Sequence, residues 1–395
     1  MVSGVNTDNF FVYAYQQQAA LESLSNNALT AGMDAYQKKD FKEAAKAFKQ
    51  AVDLAPQSQF AGDASNYLAM AYLKLNKPEK AIEAYQRWIQ LKSDEDTPHV
   101  KLGNLYFSLG RHKDAEYEYA AAVRLAPTTS NMYALGQAYL FEERYREAEA
   151  EFRKVQRLQP DDPGGYYGLG LAYSRQGRHE MAIELFDDAI GLDRKFYDAY
   201  AEKGYAYADM GQMDEAQKIF EFLEDENPEL ADTLSRYIYK VDPPEIAFVS
   251  ALESTFSYRS PKLTPLPNLD AYLENANAKK SFKMVFHFDK EMDRSSIEDR
   301  FNWKIGRAMW HGPATAYNYG LPVASTEVEL TSFPDYVYYD DDALTATVHF
   351  TIQQNETADG TIDPAHIEFK FMGEDKWGLT MDPDADQFTG FSGVF

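Results

Sequence analysis

Three aspartates near the C-terminus have a spacing that suggests metal binding. In the segment DPDAD, Asp382, Asp384 and Asp386 occupy alternate positions. Carboxylate oxygens are the ligands that a hard cation prefers, so the segment is a candidate site for Ca²⁺. It lacks the glycine and the distant glutamate of an EF-hand loop. A solvated acidic turn that holds no metal is therefore the preferred interpretation.

The residues that perform catalysis in known enzymes do not occur here in a recognisable pattern. The chain contains no cysteine, which excludes disulfides, thiol nucleophiles and thiolate metal ligands. His179 and Glu180 are adjacent but lack the second histidine of a zinc-protease helix. The closely spaced glycines of GGYYGLGLAY lie within a helical pattern and are not a phosphate-binding loop. The sequence therefore predicts a protein that is not an enzyme and has no cofactor, with Ca²⁺ as the one ion considered.

A second group of residues is suited to binding a polypeptide. Its members are uncharged, mostly aromatic, amide or thioether side chains at helical spacing, and they are Met33, Asn66, Met70, Asn104, Phe107, Tyr133, Gln137, Tyr167, Leu171 and Tyr205. A surface of this composition favours an amphipathic helix or an extended apolar peptide as its ligand. The alternative is that several of these residues only stiffen the structure that carries them.

That structure is repetitive. Six alanines lie at intervals of 37, 34, 33, 34 and 34 residues within the same local pattern, and they are Ala44, Ala81, Ala115, Ala148, Ala182 and Ala216. A period near 34 indicates a repeat array. Each unit contains two apolar-periodic runs joined by a short turn, which predicts a helical hairpin. One hairpin cannot bury its apolar face alone, so neighbours must stack.

The residues that recur in each unit resemble the tetratricopeptide repeat (TPR). In the fifth unit they are Leu169 and Gly170, then Tyr173, then Phe186 four residues after the alanine. The resemblance covers six repeats over residues 25–230, and ELADTLSRYIYKV extends the array to 241 as a capping helix. It implies an all-α superhelix whose concave groove, lined by the ten residues above, binds a protein or peptide. The lysine and asparagine set that grips acidic chaperone tails is not present, because only Lys101 and Asn104 match it.

The chain changes character after residue 241. Residues 242–280 are rich in proline and predict an extended connector. Beyond them apolar residues alternate with polar ones in FKMVFHF, LTATVHFTI and HIEFKFM, which predicts strands with one buried face. With IAFV, WKIG, TEVEL and YVYY the count reaches about seven strands, as in a β-sandwich over residues 281–395.

Two segments of this region are similar to bacterial Ig-like domains of the S-layer type. They are FKMVFHFDKEMDRSSI, a strand and turn, and GEDKWGLTMDPDADQF, which resembles the final turn of such domains. The resemblance implies an all-β Ig-like sandwich. Residues 306–322 have no counterpart in that pattern, and their role is open.

Composition limits the partners and the compartment. The net charge is −24, and residues 1–244 and 245–395 carry −12 each, so a nucleic-acid backbone or an anionic membrane surface would be repelled. No apolar stretch is long enough to span a bilayer, and the N-terminus does not have the pattern of a secretory signal. We expect a cytoplasmic protein, with leaderless export to the cell surface as the alternative.

These patterns together predict an interaction scaffold. The TPR groove would bind a peptide or amphipathic helix, and the acidic β domain would offer a second docking surface. The alternative is a structural subunit of a larger bacterial assembly, with an extracellular location and a homo-oligomeric state left open. Residues 1–24 predict a separate N-terminal helix that could lie against the first repeat or in a neighbouring molecule.

Overall fold

The computed structural model describes residues 7–308 and 323–390, with side chains from residue 15 onward. The chain divides into two compact units, one ending at Ser235 and the other beginning at Arg236. This division lies a few residues before the boundary at 241 that the sequence suggested. Each unit has its own core.

The first unit is an array of helical hairpins. Its helices are α1 (Thr7–Gln37), α2 (Phe41–Leu54), α3 (Ala61–Lys74), α4 (Pro78–Leu91), α5 (Thr97–Ser108), α6 (His112–Leu125), α7 (Thr129–Phe141), α8 (Tyr145–Leu158), α9 (Pro163–Ser174), α10 (His179–Leu192), α11 (Tyr197–Asp209), α12 (Met213–Glu226) and α13 (Pro228–Val241). Consecutive helices pack on one another along the array. The expectation of six stacked hairpins with a further helix after the last is confirmed. We call the odd-numbered helices α1 to α11 the first helices and their partners the second helices.

The recurring residues form the core of this array. The six alanines that recur at the repeat interval, called the alignment alanines below, are fully buried, and so are the rings of Phe48, Phe152 and Phe186. A methyl group on Gly170 would lie 2.4 Å from the Phe186 ring, so the glycine is needed for close packing of α9 on α10. In this unit, the most extensive contacts between non-consecutive helices are those of α9 with α7 and α11. The first helices therefore line the inner side of the stack.

The N-terminal segment is not a separate helix. Residues 7–24 continue without interruption into the first helix of repeat 1, which makes α1 31 residues long. Ser25, at the expected boundary, is buried and donates a hydrogen bond to the Ala51 carbonyl oxygen at 2.8 Å. The predicted break at residues 24/25 therefore needs correction, because no proline or glycine interrupts residues 7–31 and Ser25 and Ala28 are buried against the array.

The second unit is built from antiparallel sheets. Its strands are β1 (Ile246–Val249), β2 (Thr264–Pro265), β3 (Lys279–Phe288), β4 (Trp303–Arg307), β5 (Tyr336–Asp340), β6 (Thr345–Gln353), β7 (Thr361–Ile362), β8 (Ile367–Phe371) and β9 (Gln387–Phe388). A short helix, α14 (Arg294–Glu298), follows β3. The strand orders are β1-β3-β6-β5 in one sheet, β4-β8-β9 in another, and β2-β7 in a pair.

The two larger sheets enclose an aromatic core. The ring of Phe286 on β3 lies 5.1 Å from Trp303 on β4 and 5.7 Å from Phe369 on β8, and Phe350 on β6 lies 5.3 Å from Phe369. All four rings are fully buried. The alternation that predicted strands in FKMVFHF, LTATVHFTI and HIEFKFM is therefore matched by β3, β6 and β8, with the apolar residues facing inward.

Two predictions for this unit are wrong. Residues 242–280 are not a connector, because β1 pairs with β3 and the side chains of Phe256, Leu266 and Leu273 are part of the core. The prolines end the helical array, but the apolar residues between them still need burial. TEVEL forms no strand and makes only a bridge between Glu327 and Thr361. Of the segment 306–322, residues 309–322 lie outside the described residues.

Candidate polypeptide-binding groove

The ten predicted binding residues share one face of the first helices. Six of them stand eleven residues before the alignment alanine of their repeat, and they are Met33, Met70, Asn104, Gln137, Leu171 and Tyr205. Of the other four, three precede a member of this group in the same helix by four residues, and they are Asn66, Tyr133 and Tyr167. Phe107 follows Asn104 by three residues. Residues three or four apart lie on one helix face, so the set follows the inner side of the stack.

Three of these residues meet in one groove. Phe107 of α5, Gln137 of α7 and Leu171 of α9 line an opening of about 430 Å³. The rings of Phe107 and Phe141 are 5.2 Å apart, in an edge-to-face arrangement. Phe141 is 58% exposed, which is high for a phenylalanine and leaves its ring open to a ligand.

Sequence reasoning missed the other residues of this groove, which are Leu140, Phe141 and Arg175. Phe141 and Arg175 lie four residues after Gln137 and Leu171, at or just beyond the ends of their helices. The sequence could have indicated Phe141 and Arg175, because a residue four positions further along a helix lies on the same face. His112 stacks on Phe141 with ring centres 3.9 Å apart, so the second helix α6 also contributes to this region.

The three tyrosines are more deeply placed. The ring of Tyr133 lies 5.3 Å from Phe152, and that of Tyr167 lies 4.8 Å from Phe196. Burial raises the pKa of both hydroxyls, and Asp198 raises each further. Tyr205 donates a hydrogen bond to the Thr233 hydroxyl at 3.0 Å. Tyr133 thus packs within its own hairpin, whereas Tyr167 and Tyr205 contact the element that follows their own hairpin, which agrees with the alternative that part of this set stiffens the array.

The two asparagines accept hydrogen bonds from core tyrosines. Asn104 Oδ1 lies 2.7 Å from the hydroxyl of Tyr119, whose pKa burial raises to about 12. Asn66 Oδ1 lies 3.5 Å from the Tyr85 hydroxyl. Each amide satisfies the polar end of a ring packed between helices. Met33 is 41% exposed and extends the inner face toward α1.

Charge is concentrated at one end of the inner face. Arg175 Nη2 lies 3.8 Å from Glu202 Oε1 on α11. Burial raises the pKa of Glu202, Arg175 opposes that rise, and Asp198 and Asp209 add to it. The sequence had suggested a mostly uncharged face, and these α11 carboxylates were not part of that set. Arg175 is the charged residue that lines the groove, and Glu202 pairs with it from α11.

The aspartates of DPDAD do not converge. Asp386 is buried, and its Oδ2 lies 2.8 Å from Lys370 Nζ. Asp382 Oδ1 accepts a hydrogen bond from the Asp384 amide at 2.8 Å, which closes a turn. Within residues 7–308 and 323–390, no group of three or more histidine or acidic side chains is placed to hold a metal ion.

None of the helices in the described ranges is both long enough and apolar enough to cross a bilayer.

Comparison with known proteins identifies the array. One tetratricopeptide-repeat family model matches residues 29–96 and 133–195, and a second matches 98–129 and 197–223. Tetratricopeptide repeat protein 13 of Homo sapiens is 27% identical over 34% of this chain and 16% of its own length. The Hsp70-Hsp90 organizing protein of Triticum aestivum is 34% identical over 23% of this chain and 16% of its own length. The chain thus spans about a sixth of each of these relatives.

Solved structures of this class are also similar. A tetratricopeptide repeat protein from Parabacteroides merdae superimposes with a TM-score of 0.47 at 17% identity, over 55% of this chain and 91% of that protein. The family models together cover nearly all of the stretch from residue 29 to residue 223. This part of the chain therefore consists of tetratricopeptide repeats.

Proposed function

We propose that the protein is a non-enzymatic scaffold that holds a peptide or amphipathic helix of a partner protein on the inner face of its repeats. Tetratricopeptide repeats generally serve protein–protein interaction. The observation that carries the proposal is the open groove in which Phe107, Phe141 and Leu171 meet from three successive first helices. A ligand seated there would contact three repeats at once.

The expected affinity follows from the apolar character of the groove. Burying one leucine-sized side chain contributes about 1.5–3 kcal/mol. Two or three such anchors contribute about 3–9 kcal/mol before the cost of association and of ordering the peptide, so we expect these anchors alone to give binding weaker than micromolar. Helix anchors at i, i+3 or i+4 and i+7 would follow the line of the groove.

Affinity purification with a matched pair of variants tests the proposal. We expect Phe141→Ala combined with Leu171→Ala to lose partners that the unaltered protein retains. Tyr117→Ala is the control, because Tyr117 is 67% exposed but lies on the second helix α6, outside the groove. Far-ultraviolet circular dichroism checks that both variants keep their helices. Equal recovery of every partner by both variants would disprove the use of this groove.

The second unit supports a further docking surface. On the outer face of the four-stranded sheet, Phe248, Tyr336 and Tyr338 are each at least 50% exposed. Phe248 stacks on His287 at 4.1 Å and Tyr336 stacks on His349 at 4.2 Å, so the rings are held in place before any partner arrives. Exposed apolar groups on one sheet face mark association surfaces. We expect Tyr336→Ser with Tyr338→Ser to remove a different set of partners from the groove variant.

The same sheet face favours a second candidate function, that of a structural subunit in a larger assembly. Two antiparallel sheets around an aromatic core support the proposed Ig-like identity of this unit. Light scattering after size-exclusion chromatography separates the two candidates. A monodisperse monomer at 100 µM would contradict the assembly, whereas a defined oligomer dispersed by Tyr336→Ser and Tyr338→Ser would support it.

A further inference from the structure

A basic stripe runs along the second helix of the fourth repeat. Arg146, Arg153 and Arg157 on α8 are all exposed. Their spacing of seven and four residues places them on one face of the helix. In a chain of net charge −24, three arginines on one face stand apart from their surroundings.

The stripe borders an open groove of about 1000 Å³ between two second helices. Helices α8 and α10 form its walls. Leu169 and Tyr173 of α9 form part of the floor, and Met181 and Leu185 of α10 add apolar surface. Met181 is 40% exposed. The groove thus combines an apolar lining with a cationic wall.

The cations in the lining outnumber the carboxylates. Five cationic side chains line the groove, and they are Arg146, Arg153, Lys154, Arg157 and Arg178. The two carboxylates are those of Glu149 and Glu184, which leaves a local charge of +3. Glu149 forms ion pairs with Arg153 and Arg178 beside the Tyr173 ring.

Two of the arginines are left without an acidic partner. Among the residues that the structure describes, neither Arg146 nor Arg157 has a carboxylate within ion-pair distance. Arg157 only donates to the backbone oxygen of Arg153, at 3.1 Å. Both guanidinium groups are therefore available to a carboxylate supplied from outside.

Repeat packing does not require this stripe. At the positions that match Arg146, Arg153 and Arg157, α10 has Glu180, Asp187 and Gly191, and α12 has Asp214, Glu221 and Asp225. The same hairpin geometry is thus built in the next two repeats with five acidic residues and one glycine at these positions. The earlier helices α2 and α6 each have two cations at the matching positions, Lys42 with Lys49 and Lys113 with Arg124, so only α8 has a cation at all three.

We propose that this groove docks an acidic peptide segment of a partner protein. Carboxylates of the peptide would pair with Arg146 and Arg157, while its apolar side chains would cover Met181 and Leu185. Guanidinium groups bind carboxylates through two parallel hydrogen bonds, which fixes orientation as well as affinity. The apolar lining favours a peptide over a nucleic-acid backbone, because a peptide can supply apolar side chains alongside its carboxylates.

Fluorescence anisotropy tests the proposal with three labelled probes. They are a 12-residue peptide alternating Glu and Asp with Leu and Phe, the same peptide with Gln and Asn in place of the acids, and a 12-nucleotide single-stranded DNA. We expect the acidic peptide to bind, and Arg146→Glu with Arg157→Glu to weaken it about tenfold. Raising the salt concentration from 50 to 500 mM should weaken it as well.

Arg124→Glu is the matched control. Arg124 holds in α6 the position that Arg157 holds in α8, and it makes the same backbone hydrogen bond, to the Ala120 oxygen at 3.4 Å. It does not line the groove, so its reversal should change binding less than twofold. Phe141→Ala with Leu171→Ala should also leave acidic-peptide binding unchanged, since that groove is separate.

Four results would overturn the proposal: equal binding of the neutral peptide, tighter binding of the DNA, equal loss in Arg124→Glu, or no loss in the α8 variant. If the protein self-associated and Arg146→Glu with Arg157→Glu abolished that self-association, the groove would bind a second copy of this chain and not a partner peptide.

Discussion

The repeat unit and the β unit bury their apolar residues in opposite ways. In the repeats, small residues and single rings such as Phe48, Phe152 and Phe186 form a series of cores, each shared by neighbouring helices. In the β unit one cluster joins strands that are far apart in sequence, from Ile246 to Phe388. The first arrangement leaves long faces open for ligands, whereas the second concentrates stability in one place. The division of roles between the units follows from this contrast.

The largest expected effect is a direct test of that contrast. Phe369→Ala removes a fully buried ring from the β core and should cost about 3–5 kcal/mol, enough to unfold that whole unit. Phe186→Ala removes an equally buried ring from the array and should cost about the same. Because repeats interact only with their neighbours, the second change should loosen α9 to α11 and leave distant helices protected. Hydrogen exchange followed by mass spectrometry measures both patterns.

The interpretation would be wrong if Phe369→Ala reduced protection from hydrogen exchange only near the substitution and Phe186→Ala reduced it throughout the array. An exposed ring provides the control, since Phe301→Ala, at a residue 60% exposed, should change neither pattern.

A buried lysine gives the next largest effect and concerns the β unit alone. Lys290 is 1% exposed, and its Nζ donates to the Tyr239 oxygen at 2.9 Å, to the Asp242 oxygen, and to Asp375 Oδ2 at 3.4 Å. It thereby caps carbonyls at the carboxyl end of α13, where a cation is favoured, and this end of the helix, from Arg236 onward, belongs to the second unit. Lys290→Met would leave the fully buried Asp375 carboxylate uncompensated, at a cost of about 3–5 kcal/mol.

Urea unfolding followed by tryptophan fluorescence measures this cost. Adding Asp375→Asn to Lys290→Met should recover part of the loss, because the amide removes the buried charge. If the double variant were as unstable as the sum of the two single variants, the pair would not act through charge compensation.

The sequence predicts those parts of the fold that depend on contacts between residues close together in the chain. The 34-residue period located every hairpin, since each repeat restates the same packing residues. Alternation located β3, β6 and β8 for the same reason. The connector at 242–280 was misjudged because burial of Phe256 and Leu273 depends on strands distant in sequence, which no local pattern encodes.

The binding face shows the same limit. Positions one helical turn apart predicted Phe107, Gln137 and Leu171 in a common groove, but the pairing of Glu202 with Arg175 depends on the approach of α11 to α9. The sequence did not predict the basic groove of α8. A helix rich in arginine and glutamate has the composition of an ordinary exposed helix, and the groove depends on how α9 and α10 pack beside it.

The smallest predicted effect concerns pH and belongs to the array alone. Burial raises the pKa of Glu202 in the folded state. Between its unfolded and folded pKa values the folded protein binds more protons, so stability falls as pH rises through that interval. Glu202→Gln removes this dependence and should make the array more stable at pH 8, with the difference shrinking at pH 4. Urea unfolding by circular dichroism at the two pH values measures it, with the exposed Glu184→Gln as control. A variant less stable than the unaltered protein at pH 8 would show that the ion pair of Glu202 with Arg175 outweighs the desolvation of the carboxylate, and that the pair stabilises the packing of α11 on α9.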